Sequence, residues 1–105
     1  MDKYTAAVRR YILIQHEEGG NPIDSKELHV RFVDTWRRYR LYDMWIDDGR
    51  VVEPRFPPLY ILVDGECNVR WMTEKEGDEY QKDSDLCLRK AVLWMEHSMN
   101  KKKVN

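Results

Sequence analysis

Metal-binding spacings are missing from this chain. Its two cysteines, Cys67 and Cys87, stand far apart, and the three histidines, His16, His29 and His97, form neither a HExxH nor part of a Cys-x-x-Cys site. A zinc centre is excluded as the organising feature, and no metal is expected. Nucleophilic pairs are not specified either: Cys87 and His97 on one predicted helix are separated by about 15 Å of rise, and a Cys67–His97 pair, allowed if the last helix covers the hairpin, is marked by nothing in the sequence. Gly19-Gly20 is followed by no lysine and hydroxyl residue at phosphate-loop spacing. The carboxylates at Asp47-Asp48 and at Glu74, Glu76, Asp78 and Glu79 fall in predicted loops, where water keeps them ordinary acids. The sequence therefore predicts no enzyme and no cofactor.

Long apolar runs are also lacking, so neither a signal peptide nor a membrane span is expected, and membrane is excluded as a partner. Sparse cysteine without a leader points to a reducing, cytoplasmic location, with both thiols read as small buried hydrophobes. A Cys67–Cys87 bridge is the other reading, because a strand cysteine and a helix cysteine can meet. Net charge is nearly absent: 18 basic against 19 acidic side chains leave −1. No whole-molecule field draws this chain to nucleic acid, so an electrostatic partner must be met by a local patch. Length excludes doubly wound and barrel folds, since 105 residues supply one modest core and one domain, 1–105.

Aromatic rings are plentiful, with 4 Trp, 6 Tyr and 2 Phe spread along the chain. Such large rigid side chains suit a core or an interface, and disorder is disfavoured. Tyr4, Ala7, Val8, Tyr11, Ile12 and Ile14 recur on a helical period that stops at Gly19-Gly20, which predicts a first helix. Asp24 and Glu27 have capping-box spacing and predict a second helix from Ser25 or Lys26 to about Trp45. On it Leu28, Phe32, Thr35, Trp36 and Tyr39 share a face, and Glu27–Arg31 and Asp34–Arg38 are acid-before-base pairs. One or two short strands between Met44 and Glu53, joined at Asp48-Gly49, are the other reading of its end.

Three prolines between Pro54 and Pro58 predict an extended connection. Beyond it Leu59 to Val63 and Cys67 to Thr73 flank Asp64-Gly65, a hairpin signal that places Leu62 opposite Cys67 and Tyr60 opposite Val69. The first of these strands is apolar on both sides and is read as central or open for pairing. Thr73 to Lys82 is read as a polar loop, after which Asp83, Ser84 or Asp85 caps a last helix with Leu88, Ala91, Val92, Met95 and Met99 buried. A basic tail, 100–105, follows and is expected to fray. The expected fold is α+β, three helices packed on a small antiparallel sheet in the order α-α-β-β-α.

Arg31, Trp36, Arg37, Arg38, Tyr39, Arg40 and Tyr42 concentrate positive charge and rings in one stretch. Two functions follow from it. If Val30, Val33, Leu41 and Met44 lie on a second apolar helix face, there is too little protein to cover both, and one face meets another protein or a second copy of the chain. Arg37, Arg38, Arg40, Leu41, Met44 and Trp45 then form the interface of an adaptor, inhibitor or regulator, a role that suits a bacterial or viral accessory protein. The bland alternative ends the helix near Arg40 and moves Leu41 and Met44 onto strands and into the core.

The second function is nucleic-acid binding by Arg31, Trp36, Arg37, Arg38 and Arg40, with Lys101, Lys102 and Lys103 as further phosphate contacts. Pro22-Ile23-Asp24-Ser25-Lys26-Glu27-Leu28 resembles the approach to the second helix of a winged-helix domain, with the Asp64-Gly65 hairpin as the wing. The likeness spans about half the chain, and acids at Glu27, Asp34 and Asp43 oppose it. A third function is sequestration of a nucleotide in a Trp- and Arg-lined cleft between protomers.

Overall fold

A computed structural model of the chain describes residues 1–47, 49 and 59–86. The first helix, α1 (Lys3–Glu18), forms as its periodicity predicts. Asp2 caps it by accepting the Thr5 backbone N–H at 2.7 Å, which satisfies a donor that the first turn leaves open. Gly20, at φ 79°, releases the chain at the other end. Val8 and Ile12 are its fully buried residues.

The predicted second helix does not exist. Its residues form β1 (Leu28–Trp36) and β2 (Tyr39–Ile46), an antiparallel hairpin turning at Arg37-Arg38. β-Branched and aromatic residues dominate this stretch, and they fit a pleated surface better than a helix. A bulge between Phe32 and Asp34 changes the phase of the alternation, so Val33 and Asp34 both oppose Leu41. That phase change mimics a helical stripe, because Leu28 and Phe32 belong to one face of the sheet and Trp36 and Tyr39 to the other. The expected pairs Glu27–Arg31 and Asp34–Arg38 are therefore not made. Arg31 meets Asp43, its direct cross-strand partner, at 2.5 Å.

β3 (Ile61–Val63) and β4 (Val69–Trp71) complete a four-stranded antiparallel sheet in the order β1-β2-β3-β4. Asp64-Gly65 does mark the turn, but the register differs from expectation. Val63 pairs with Val69 and Leu62 with Arg70, so the loop takes in residues 64–68. Asp64 stabilises this longer turn by accepting backbone N–H groups of Glu66 and Asn68, each at 2.9 Å. Cys67 lies in that turn at φ 64°, half-buried, and not on a strand. β3 is central and buried at all three positions.

A second helix, α2, is helical over residues 74–86 as far as the described chain extends. It begins some ten residues before the predicted cap, in what the polarity of 73–82 marks as loop. The reason is a capping box at Thr73-Glu74-Lys75-Glu76: Glu76 accepts the Thr73 backbone N–H at 3.0 Å, and the Thr73 hydroxyl accepts the Glu76 N–H at 3.1 Å. The later stripe, Cys87, the prolines at 54–58 and the basic tail lie outside the described residues.

Among the described residues, two helices and four strands thus stand where three helices and one hairpin were expected, within the same α+β class. The sheet carries a core on each face. On one side Val8 and Ile12 of α1 pack with Leu28, Tyr42, Ile61 and Val63. On the other Trp36, Leu41, Leu62 and Met72 pack with Tyr60 and Tyr80, the last from α2. Alternation along β3 divides the two: Ile61 and Val63 face α1, and Leu62 faces α2. Fully burying each such side chain contributes about 1.5–3 kcal/mol.

Candidate functional site

The β1–β2 turn occupies two residues, and Arg37 adopts φ 56°, the left-handed region in which a side chain costs free energy and glycine does not. Its guanidinium lies 4.1 Å from the centre of the Trp36 ring and donates to Glu79 of α2 at 2.7 Å. Trp36 is itself buried, donating its indole N–H to Asp83 at 2.8 Å and meeting Tyr80 edge-on. The turn is thereby strapped to α2.

Next to it, Tyr39 is flanked by two arginines. Arg38 donates to its hydroxyl at 3.1 Å and lies 5.3 Å from its ring, and Arg70 of β4 donates to the same hydroxyl at 3.5 Å from an equal ring distance. These bonds hold the Tyr39 phenol below its ordinary pKa and keep Arg38 charged. Arg70 is neutralised locally by a two-pronged bond to Glu76, at 2.6 and 2.8 Å, which lowers the Glu76 carboxyl to about 2. Among the described residues Arg38 has no such partner.

On the opposite face of the sheet Arg40 lies 4.4 Å from the Tyr4 ring and 5.8 Å from Phe32. Lys3 stands 5.0 Å from the same Tyr4 ring. No carboxylate lies within ion-pair distance of Arg38 or Arg40 among the described residues. Between the two stacks opens a cleft of about 210 Å³ lined by Tyr4, Arg37, Arg38, Tyr39, Arg40 and the Val63-Asp64-Gly65 turn. A larger hollow, about 490 Å³, lies at the far end of α1 beside Trp71, with no concentration of like charge.

The structure divides the residues that the sequence groups together. Trp36, Arg37, Arg38 and Arg40 gather at one end of the sheet. Arg31 does not join them: five positions up β1 from Trp36, about 17 Å of strand, it is paired with Asp43 and lies 5.8 Å from the Trp45 ring. Trp45, 42% exposed, stacks on His29 at 5.1 Å, and His29 meets Asp47 at 2.7 Å. Leu41 is fully buried and Met44 half-buried against the α1 core, as in the bland sequence reading of these two positions. Lys101, Lys102 and Lys103 lie outside the described residues.

Lys3, Tyr4, Phe32 and Arg70 belong to the cluster and escaped the sequence reading. No local pattern marks them, because they arrive from α1, from the middle of β1 and from β4. No helix among the described residues is long and apolar enough to cross a membrane. No protein-family model matches the chain, and no curated protein or solved structure matches it either.

Proposed function

We propose that this is a non-enzymatic binding protein that holds nucleic acid at the arginine–aromatic end of its sheet. One observation carries the reading: Arg38 and Arg40 flank a cleft, each against a tyrosine ring, with no carboxylate at ion-pair distance among the described residues, Asp64 and Asp2 acting on them only from further off. The contrast within the molecule gives this weight. Arg31, Arg37 and Arg70 have carboxylate partners, and Arg9 donates to the Leu28 and Ser25 carbonyls; of the described arginines without a carboxylate at ion-pair distance, Arg38 and Arg40 are the two that line the cleft, where they can meet an external anion.

The protein-docking reading has less to stand on. It needs Leu41 on an outward face, and Leu41 is core. The exposed rings that remain, Phe32, Trp45 and Trp71, form no common patch: Trp45 lies on the other face of the sheet from Phe32, and Trp71 stands on β4, the edge strand opposite β1. Sequestration of a nucleotide is less favoured as well: the arginine-lined cleft, at about 210 Å³, is below the 300–1,000 Å³ typical of small-molecule sites, and the hollow of about 490 Å³ beside Trp71 is lined by no arginine.

Binding of a labelled oligonucleotide, followed by anisotropy over a salt series, tests the proposal. The expected result is affinity that falls with salt at a slope set by two or three displaced counterions. Replacing Arg38 and Arg40 together by alanine abolishes it. Binding that ignores both salt and this double substitution refutes the assignment.

A further inference from the structure

Resting on that reading, we infer that the nucleic acid is a single strand, whose bases stack on the walls of the cleft while its phosphates meet Arg38 and Arg40. On the α1 side rings and cations alternate: Phe32, Arg40, Tyr4 and Lys3 follow one another at 5.8, 4.4 and 5.0 Å. The opposite wall repeats the theme with Arg38 at 5.3 Å from the Tyr39 ring, and Arg70, outside the cleft lining, lies at an equal distance from the same ring. Rings, and guanidinium planes lying against rings, are surfaces on which unpaired bases stack regardless of sequence. A duplex keeps its base faces covered and would use only the charges.

Geometry excludes groove reading as well. Entry into a major groove requires a helix or a free two-stranded ribbon. Here the turn projects by two residues, Arg37 is tethered to Glu79 at 2.7 Å, and Trp36 behind it is 6% exposed beneath Tyr80. No free ribbon exists at this end. Asp64 stands on the rim with its carboxylate engaged by Glu66 and Asn68, and its charge confines phosphates to the narrow track between the arginines. Phe32, 46% exposed at the β1 edge, extends the stacking surface past the cleft.

The test uses the full chain and three labelled probes: an oligothymidylate of about 16 nucleotides, a duplex of equal length, and heparin. The strand is expected to bind at least tenfold more tightly than the duplex. Phe32→Ala and Tyr4→Leu each weaken it roughly tenfold, the scale of one lost base stack, while Tyr4→Phe binds as the parent does. Circular dichroism of each variant confirms that it is folded, and Phe32→Ala, at an exposed site, keeps the test valid should Tyr4→Leu unfold.

Equal affinity for strand and duplex, or for heparin, overturns the stacking inference. So does loss of binding with the two arginine substitutions alone, the ring variants being silent, although the anion site itself then stands. Failure of every probe to bind overturns both proposals.

Discussion

Arg37 is the residue at which local preference and tertiary structure disagree most. Two-residue hairpin turns favour glycine or asparagine where φ is positive, and Arg37 stands there at φ 56° at a cost of about 1–2 kcal/mol relative to glycine. Its contacts with Trp36 and Glu79 offset part of this, but the ion pair is half exposed and worth under about 1 kcal/mol. Arg37→Gly is therefore expected to leave stability unchanged or raise it by up to about 1 kcal/mol in urea denaturation, while reducing oligonucleotide affinity severalfold. A large loss of stability would show that the strap to α2 outweighs the turn. The absence of any turn-forming residue at 37–38 also explains why the hairpin was illegible: nothing in Trp36-Arg37-Arg38-Tyr39 announces a reversal of the chain.

At the scale of elements, the helix starts rest on local capping chemistry that the sequence reading did not use. Asp2 with Thr5 opens α1, and Thr73 with Glu76 opens α2, although the charge of the second segment concealed a signal that its spacing contained. The same spacing at Asp24 and Glu27 opens no helix. There Asp24 turns back on the Lys26 N–H at 3.0 Å and the chain enters β1. A capping box is thus a permission, and the β-branched and aromatic content that follows decides.

Glu76 supplies a measurable consequence. Its folded pKa of about 2 lies below the ordinary 4.5, chiefly because Arg70 bonds the charged form. The stabilisation is complete above pH 4.5 and is lost as pH falls from there towards 2. Glu76→Gln is expected to cost about 1 kcal/mol at pH 7, allowing for solvent screening, and the difference from the parent to vanish near pH 2. Thermal melts across that range check it, and a pH-independent difference would assign the effect to packing instead.

The whole molecule depends on a sheet covered on both faces. Leu62 points away from α1 and is fully buried with Leu41, Trp36 and Met72, so Leu62→Ala is expected to cost 2–5 kcal/mol on the cavity scale. A cost below about 1 kcal/mol would mean that this side of the sheet is not a packed core. Leu41→Asp separates the interface reading from the core reading: an unpaired charge at a fully buried site is expected to abolish cooperative unfolding, whereas at a docking surface it would spare the fold. Tyr80 reports the same packing at high pH. Burial and its bond to Asp34 raise the phenol from 10 to about 12. What this contributes is present below pH 10 and is lost as pH rises towards 12, and Tyr80→Phe is expected to remove that step from the melting profile.

By itself the sequence determined the α+β class, α1 with its end at Gly19-Gly20, and a strand before Asp64-Gly65 that is apolar on both sides, because each depends on a period or a turn confined to neighbouring residues. Only tertiary structure decided that residues 28–46 are a hairpin and that the later turn takes in 64–68. It also placed Leu41 in the core and joined Tyr4, Arg40 and Arg70 at one end of the sheet. Those outcomes rest on which strand lies beside which and on which face α2 covers. A bulge at Val33 that inverts the alternation, and an arginine held at positive φ, take their cause from that packing and leave no pattern among neighbours.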